Sequence, residues 1–240
     1  MTRSTLTRSV TLFRAFLREQ SDPDHFYQTL AADSVGQLGQ YVDLRGRRVL
    51  DVGGGPGYFA DAFRAAGAVY LGVDPDDREM SARGEPASGM VQASGMRLPV
   101  RTGAVDVCYS SNVLEHVPRP WQMAAEMVRV TRPGGTIYVS FTPWLSPWGG
   151  HETAPWHYLG GYRARAGYRR RFGREPKNRY GESLFPVSVG AALRWARHCP
   201  DADLVEAFPR YHPWWAKAVV HVPGLREIAM WNLALVLRKR

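Results

Sequence analysis

A loop of four glycines and one proline follows a short apolar run in the first quarter of the chain. The run covers residues 47–52, the loop is 53–57, and residues 58–66 are patterned as a helix. Glycine lets the backbone turn sharply and approach a ligand closely, and a helix N-terminus presents free N–H groups to that ligand. The sequence therefore predicts a buried strand, a ligand-binding loop and a helix in succession.

The spacing of the glycines indicates which ligand the loop binds. A dinucleotide site needs Gly-x-Gly-x-x-Gly, and that spacing fails because Tyr58 stands where the last glycine should be. The pattern that fits is Asp-x-Gly-x-Gly-x-Gly, formed by Asp51, Gly53, Gly55 and Gly57. An acid beside the loop would repel a pyrophosphate, whereas it suits the cationic amino group of an amino-acid ligand.

A second acid follows the next predicted strand, residues 69–73, which ends at Asp74-Pro75. A carboxylate at that strand end can accept hydrogen bonds from both hydroxyls of a ribose. Either element alone has a structural alternative, a turn glycine or a helix-capping aspartate. Together they predict a nucleoside ligand with an amino-acid tail.

Strand-like and helix-like segments alternate through the first 142 residues, which predicts an α/β fold with a doubly wound parallel sheet. Further strands are predicted at 90–93, 105–110 and 136–141, and helices at 5–18, 24–42, 77–83 and 120–130. The pattern then fails for about 45 residues and resumes with a helix at 187–199 and strands at 204–208 and 232–237. We interpret the chain as one domain: an N-terminal helical cap (1–44), a cofactor-binding core (45–142), an aromatic and basic insertion over the active site (143–186), and a C-terminal helix and hairpin (187–240).

Five segments of the core resemble the Rossmann-like, S-adenosylmethionine (SAM)-dependent methyltransferases of the type 11 group: LDVGGGPGYF, LGVDP, ASGMRLP, VDVCYSSNVLEHV and VTRPGG. The resemblance implies a reversed final β-hairpin and SAM as the cofactor. It also implies that the glycine loop meets the methionine moiety, that Asp74 and Pro75 lie at the ribose, and that Ser110 and Asn112 contact the methionine end. The family's adenine-binding Asp is replaced by Ser94, so Ser94 and the Gly95 and Met96 backbone would have to serve.

Histidines are the candidate catalytic residues, because removing the proton of an acceptor hydroxyl needs a base that works near neutral pH. The sequence favours His151, beside Glu152 in the insertion, then His116 and His157, with His212 a weaker candidate. The alternative is loop packing for His151 and a structural hydrogen bond at a helix start for His116. Glu115 and His116 resemble the pair with which ubiquinone-type O-methyltransferases hold a divalent cation such as Mg²⁺. The family's further acid is Asn112 here, so the sequence alone does not complete a metal site.

Net charge of +9 is concentrated in two stretches, residues 1–18 and 163–179. Such patches suit an anionic acceptor, a lipid surface or nucleic acid, and a solvated basic face is the alternative.

Three segments in and at the end of the insertion, WGGHE, HYLGG and KNRYGESLFPVS, also resemble an actinobacterial subgroup associated with cell-envelope glycolipids. That likeness favours O-methylation of a small-molecule, saccharide or glycolipid hydroxyl. The alternatives are an RNA methyltransferase, against which no RNA-binding module is visible, and a SAM-binding regulatory protein without turnover.

We expect a cytoplasmic protein, because no leader pattern is visible in the sequence and no apolar run approaches a membrane span. The basic, amphipathic N-terminal helix and the segment from Tyr211 to Val222 would suit peripheral contact with the inner face of the plasma membrane.

Overall fold

The apolar runs of the core form the centre of a seven-stranded sheet. The computed structural model describes residues 4–19 and 21–240, so the charge at Arg3 lies outside the described residues. The strand order is β3-β2-β1-β4-β5-β7-β6, and within that sheet β7 alone runs opposite to the other six strands. The predicted doubly wound sheet with a reversed final hairpin is confirmed. The strands are β1 (Arg48–Val52), β2 (Val69–Asp74), β3 (Met90–Gln92), β4 (Val105–Ser111), β5 (Thr131–Phe141), β6 (Ala202–Pro209) and β7 (Leu233–Lys239).

Helices cover both faces of the sheet. They are α1 (Leu6–Phe16), α2 (Pro23–Leu38), α3 (Tyr58–Ala65), α4 (Asp77–Met80), α5 (Pro120–Val130), α6 (Gly161–Phe172), α7 (Val189–Arg197) and α8 (Leu225–Ala229). Strand residues alternate between two cores: Ile137 and Val139 of β5 pack with α5 and α7, whereas Tyr138 packs with α2 and α3. Burial on both faces explains why the strands read as nearly continuous apolar runs.

The carboxyl ends of β1, β2 and β4 lie side by side, because β1 pairs with β2 on one side and β4 on the other. The chain winds outward in opposite directions from this point, which opens a crevice beyond the strand ends where ligands bind in such sheets. Val52, Asp74 and Ser111 are the last residues of these three strands. The glycine loop follows directly from the first of them.

The insertion contains a helix that the sequence did not predict. α6 is rich in arginine, and only Gly161 and Ala164 of it are buried, so it has no apolar period to detect. Ion pairs stabilise it instead, since Arg165 binds Glu175 at 2.8 Å and Glu182 at 2.7 Å. The helix ends at Gly173, whose φ of +66° is the left-handed conformation that glycine favours at a helix C-terminus.

The apolar stripe of the N-terminal helix, formed in the sequence by Leu6, Val10, Phe13 and Leu17, is not the side that α1 buries. Leu6, Val10 and Leu17 of the apolar stripe are 60%, 40% and 63% exposed, whereas Leu12 and Ala15 are buried. Arg8 decides the orientation, because its guanidinium binds Asp33 of α2 at 2.5 and 2.7 Å and donates to the Arg210 carbonyl oxygen at 3.1 Å. This arginine anchors the helix rather than contributing to a basic surface.

We expect Arg8→Ala to lower the free energy of unfolding by about 2 kcal/mol, because the half-buried Asp33 carboxylate loses its cation. Urea denaturation measures the change. Arg14→Ala is the matched control on the same helix, since Arg14 is exposed, and it should change stability by no more than about 0.5 kcal/mol. Equal, small effects of both substitutions would show that Arg8 does not anchor α1.

Candidate active site

The glycine loop is held in the crevice by its own backbone. Gly53, Gly55 and Gly57 have φ angles of +81°, +47° and +79°. The N–H groups of Gly53 and Gly54 donate to the Val73 carbonyl oxygen at 2.8 and 3.2 Å, which joins the ends of β1 and β2. A Cβ atom at Gly53 would lie 2.3 Å from a Val113 methyl carbon. Only glycine fits there, and the loop backbone is left close to the crevice.

Asp51 is a buried acid beneath the loop. It accepts a hydrogen bond from the Tyr70 hydroxyl at 3.0 Å, and in the described part of the chain no lysine or arginine forms an ion pair with it. Burial raises the pKa of Asp51 to about 7, and the neighbouring charge of Asp74 adds to this. A buried carboxylate without a cation is suited to receive a positively charged ligand group.

Asp74 lies across the loop from Asp51. One carboxylate oxygen accepts from the Gly55 N–H at 3.0 Å and the other from the Asp76 N–H at 2.9 Å. Burial raises the pKa of Asp74. A carboxylate has about four acceptor positions, so each oxygen retains capacity for a ligand hydroxyl. Pro75 follows in an exposed position.

Residues 94–96 cross the end of β1. A Cβ atom at Gly95 would lie 2.9 Å from a Val52 methyl carbon, so the backbone passes closely over that strand. The Ser94 hydroxyl oxygen accepts from the Met96 N–H at 3.3 Å, and the Met96 carbonyl oxygen accepts from the Gln122 amide at 3.0 Å. The segment is therefore braced next to the crevice.

The two predicted contacts after β4 have structural partners. Ser110 is buried, and its hydroxyl donates to the Val52 carbonyl oxygen at 2.8 Å, so it ties β4 to β1. Asn112 has a φ of +57° and lies in a polar cluster with the C-terminal segment. Its amide donates to the Tyr211 hydroxyl at 3.4 Å, and its side-chain oxygen accepts from Asn232 at 2.6 Å.

Glu115, His116 and His151 come together where the insertion meets the core. Their potential ligand atoms all lie within 4.8 Å of one another, and the two imidazole centroids are 5.0 Å apart. The sequence suggested the first two as a pair and His151 as a separate base, but it did not place them in one cluster. Burial raises the pKa of Glu115. Burial also lowers the pKa of His151 to about 3, and the charges of His116 and His157 add to that shift. Burial thus moves the pKa of His151 below the near-neutral range that the sequence led us to expect of a general base.

His157 and His212 pack inside the protein. The ring of His157 is buried between Trp144 and Tyr158, and its Nε2 bonds to the Ser146 carbonyl oxygen at 3.1 Å. His212 Nε2 bonds to the Ala229 carbonyl oxygen at 2.9 Å. Burial lowers the pKa of both groups. These contacts favour the packing alternative for both histidines.

Sequence reasoning missed Arg210, which is fully buried below the carboxyl ends of β4 and β5. Its guanidinium donates to the hydroxyls of Ser111 at 2.6 Å, Ser140 at 2.7 Å and Ser34 at 2.5 Å. A single arginine after a strand carries no periodic or motif signal, so only the assembled structure reveals it.

A cavity of about 530 Å³ lies in the insertion, between α6 and the turns that begin directly after His151. Arginine and aromatic side chains form much of its wall, and mostly short residues fill the rest. The wall includes Trp156, Arg163, Tyr168, Arg171, Phe172 and Thr153.

Comparison with known proteins agrees with this architecture. The profile of a family described as a methyltransferase domain matches residues 50–139. An uncharacterized methyltransferase from Mycobacteroides abscessus is 55% identical over 251 residues, which cover 99% of this chain and 96% of that protein. One from Mycolicibacterium gilvum is 53% identical, over 98% of this chain and 96% of that protein.

Two solved structures share the fold. A SAM-dependent methyltransferase from Mesorhizobium loti superposes with a TM-score of 0.59 at 20% identity, over 87% of this chain and 98% of that one. The cyclase SpnF superposes with a TM-score of 0.54 at 17% identity, over 87% and 80%. The fold alone therefore does not fix the reaction.

The fold and the sequence matches together define a methyltransferase of the Rossmann-like class, and SAM is the cofactor that this fold implies. The chain belongs to the same methyltransferase family as the mycobacterial proteins.

Proposed function

We propose that this methyltransferase transfers the methyl group of SAM to a hydroxyl of a saccharide or glycolipid acceptor that carries negative charge. The observation that carries the proposal is the cavity of the insertion, which combines aromatic faces with Arg163 and Arg171 and whose wall begins at Glu152, the residue after His151. Aromatic faces pack on sugar rings, and guanidinium groups bind carboxylates and phosphates.

The crevice offers a complementary group for each part of the cofactor. Asp51 faces the amino group, because it is a buried acid that lacks a cation, and the free acceptor positions of Asp74 suit the ribose hydroxyls. Ser94 and the Gly95 and Met96 backbone border the adenine. Asn112 marks the methionine end, whereas Ser110 supports it indirectly through Val52.

SAM, when bound, supplies a methyl group on a positively charged sulfur. The acceptor oxygen forms the new bond to the methyl carbon as the carbon–sulfur bond breaks, and the hydroxyl proton must leave. Alignment of the three atoms is the main requirement. The glycine loop meets it by holding the cofactor, and the insertion by holding the acceptor on the opposite side. Glu115, His116 and His151 form a polar cluster where the insertion meets the core, and we assign the removal of the hydroxyl proton to this cluster.

An RNA acceptor is less well supported, because much of the basic stretch is already neutralised. Arg165 and Arg169 pair with Glu175, and Arg179 pairs with Glu182. The two arginines that line the cavity, Arg163 and Arg171, have no ion pair in the described part of the chain. Arg170 and Arg174 of the same stretch are exposed and form no ion pair among the described residues either, but only Arg163 and Arg171 are positioned to bind an anionic group in the cavity.

Binding of S-adenosylhomocysteine, which keeps the amino group, should weaken as the pH falls below about 7. Asp51 must be ionised to receive the amino group, and its pKa of about 7 in the free protein means that binding at lower pH displaces a proton. Affinity should fall by up to about tenfold per pH unit. Calorimetry in two buffers of different ionisation enthalpy measures both the affinity and the proton release.

Asp51→Asn is the matched control, and it should bind weakly with much less pH dependence. Asp74, whose pKa is also raised, is retained in that variant, so the difference isolates Asp51. Affinity of the wild type that does not change between about pH 5.5 and 8 would place the amino group elsewhere.

The acceptor is found by incubating the protein with a saccharide and glycolipid extract and SAM that carries a deuterated methyl group. Mass spectrometry should detect an anionic glycolipid or saccharide that carries the label. For that acceptor, Arg171→Ala should raise KM by about tenfold and leave S-adenosylhomocysteine binding unchanged. Arg170→Ala is the matched control, because Arg170 is exposed and does not line the cavity. Label transferred only to RNA, or to nothing, would contradict the proposal.

A peripheral membrane surface is part of the proposal, because a glycolipid acceptor lies in a bilayer. The exposed side of α1 carries Leu6, Val10 and Leu17, and the segment 214–228 exposes Trp215 and Ile228 by 62% and 54%. The Trp214 N–H donates to the Ser4 carbonyl oxygen at 2.7 Å, which brings the two segments together. Within the described ranges, no helix has the length and apolar content needed to cross a bilayer.

We expect the protein to sediment with vesicles that contain anionic lipid, and Trp215→Ser to weaken this binding by roughly tenfold, because the indole would insert at the headgroup boundary. Val69→Ser on β2 is the matched control, since Val69 is 55% exposed but distant in sequence and fold from this surface. If wild type and both variants sediment alike, the exposed residues serve another purpose.

A further inference from the structure

We propose that Glu115, His116 and His151 bind one divalent transition-metal ion. Two of the ligands come from the turn Leu114–His116 after β4, and the third from the turn His151–Thr153 that opens the insertion. Each offers one donor atom, and the three lie within 4.8 Å of one another. Ligands around one ion at about 2.1 Å stand roughly 3.3 Å apart, so modest side-chain rotation closes the site.

Two of the donor atoms are buried and have no other partner. Glu115 Oε1 accepts from the Thr142 N–H at 2.9 Å, but Glu115 Oε2 has no hydrogen bond, and neither has His151 Nε2. Buried polar atoms in native proteins are almost always paired, so the unpaired atoms of Glu115 and His151, neighbours in this cluster, call for partners. The two atoms do not hydrogen-bond to each other, and one cation would satisfy both, with the His151 proton on Nδ1 and the lone pair of Nε2 directed at the ion.

The third donor is oriented as metal-binding histidines usually are. His116 Nδ1 bonds to the Ser183 carbonyl oxygen at 2.8 Å. A carbonyl can only accept, so Nδ1 carries the proton and Nε2 presents its lone pair. This arrangement, a ligand histidine held by a backbone carbonyl, fixes the tautomer and the ring direction. The adjacent Glu115 carbonyl oxygen accepts from the Phe185 N–H at 2.8 Å, which anchors the turn to the same segment.

The donor set selects the metal. Two imidazole nitrogens and one carboxylate favour zinc, manganese, iron, cobalt or nickel, whereas Mg²⁺ prefers a shell of oxygen atoms. Asn112, which stands at the position of the missing acid, bonds instead to Asn232 and Tyr211. The insertion supplies His151 in place of that acid, so the ion would also join the insertion to the core.

The ligand charges give the ion a chemical role. With one carboxylate and two neutral imidazoles as ligands, a divalent ion would keep one net positive charge. Held by these residues, it would supply Lewis acidity that favours loss of the proton from the acceptor hydroxyl to water. This role depends on the proposed O-methylation, whereas the binding of the metal does not.

Titration of the metal-free, tag-free protein with Co²⁺ tests the site, because cobalt bound to nitrogen and oxygen ligands has visible absorption bands. We expect one equivalent to bind and Zn²⁺ to displace it. Glu115→Gln keeps the acceptor for Thr142 but loses the anionic donor, and His151→Ala loses the insertion's ligand. Each should weaken binding by about tenfold or more. His212→Ala is the matched control, since it removes a buried histidine outside the cluster.

Absence of a stoichiometric cobalt complex in the wild type would overturn the proposal, as would equal affinity in Glu115→Gln and His151→Ala. Loss of binding in His212→Ala alone would place the ion elsewhere and overturn it too. The proposed function is judged separately, by label transfer to the acceptor with and without a chelator. Metal binding without any methyl transfer would contradict that function and leave the site standing.

Discussion

Three hydrogen bonds to two backbone carbonyl oxygens fix the ends of three strands, and the rest of the site depends on them. The Gly53 and Gly54 N–H groups share the Val73 carbonyl oxygen, and the Ser110 hydroxyl binds the Val52 carbonyl oxygen. β1, β2 and β4 therefore end in a fixed relation. Asp51 and Asp74 then lie on opposite sides of one loop, and the chain leaving β4 delivers the Glu115 turn to the acceptor side. A shift of any strand end would separate the cofactor from the groups that act on the acceptor.

The core was predictable because its signals are local. Strands that are buried on both faces of the sheet are apolar along their whole length, which the sequence shows directly. The glycine loop and the acid each follow a strand, so they mark strand ends without any information on distant contacts. The predicted boundaries differ from the observed ones by a few residues, with the largest difference at β5, which begins at Thr131 rather than after Gly135. The reversed pair of final strands came from the family resemblance and not from any residue pattern.

The acceptor side was not predictable in the same way, because its determinants are contacts between segments distant in the sequence. α6 has no apolar period and is stabilised by ion pairs instead, and α1 is held on α2 by the ion pair between Arg8 and Asp33. The meeting of His151 with Glu115 and His116 depends on how the insertion folds back, as does the burial that lowers the pKa of His151. Types of residue were identifiable there, but their roles were not.

Acidic groups lie on the cofactor side of the site and arginines on the acceptor side. Two acids with raised pKa values, Asp51 and Asp74, lie at the β1–β2 edge, which suits a cofactor that carries an amino cation and a sulfonium. Arg210 lies beneath β4 and β5, where its hydrogen bonds go to neutral hydroxyls rather than to a carboxylate, so its charge is not cancelled at short range. The two unpaired arginines of the cavity add charge of the same sign on that side. The acids would attract a cationic cofactor, and the arginines would attract an anionic acceptor. Each ligand would bind weakly in the other ligand's site.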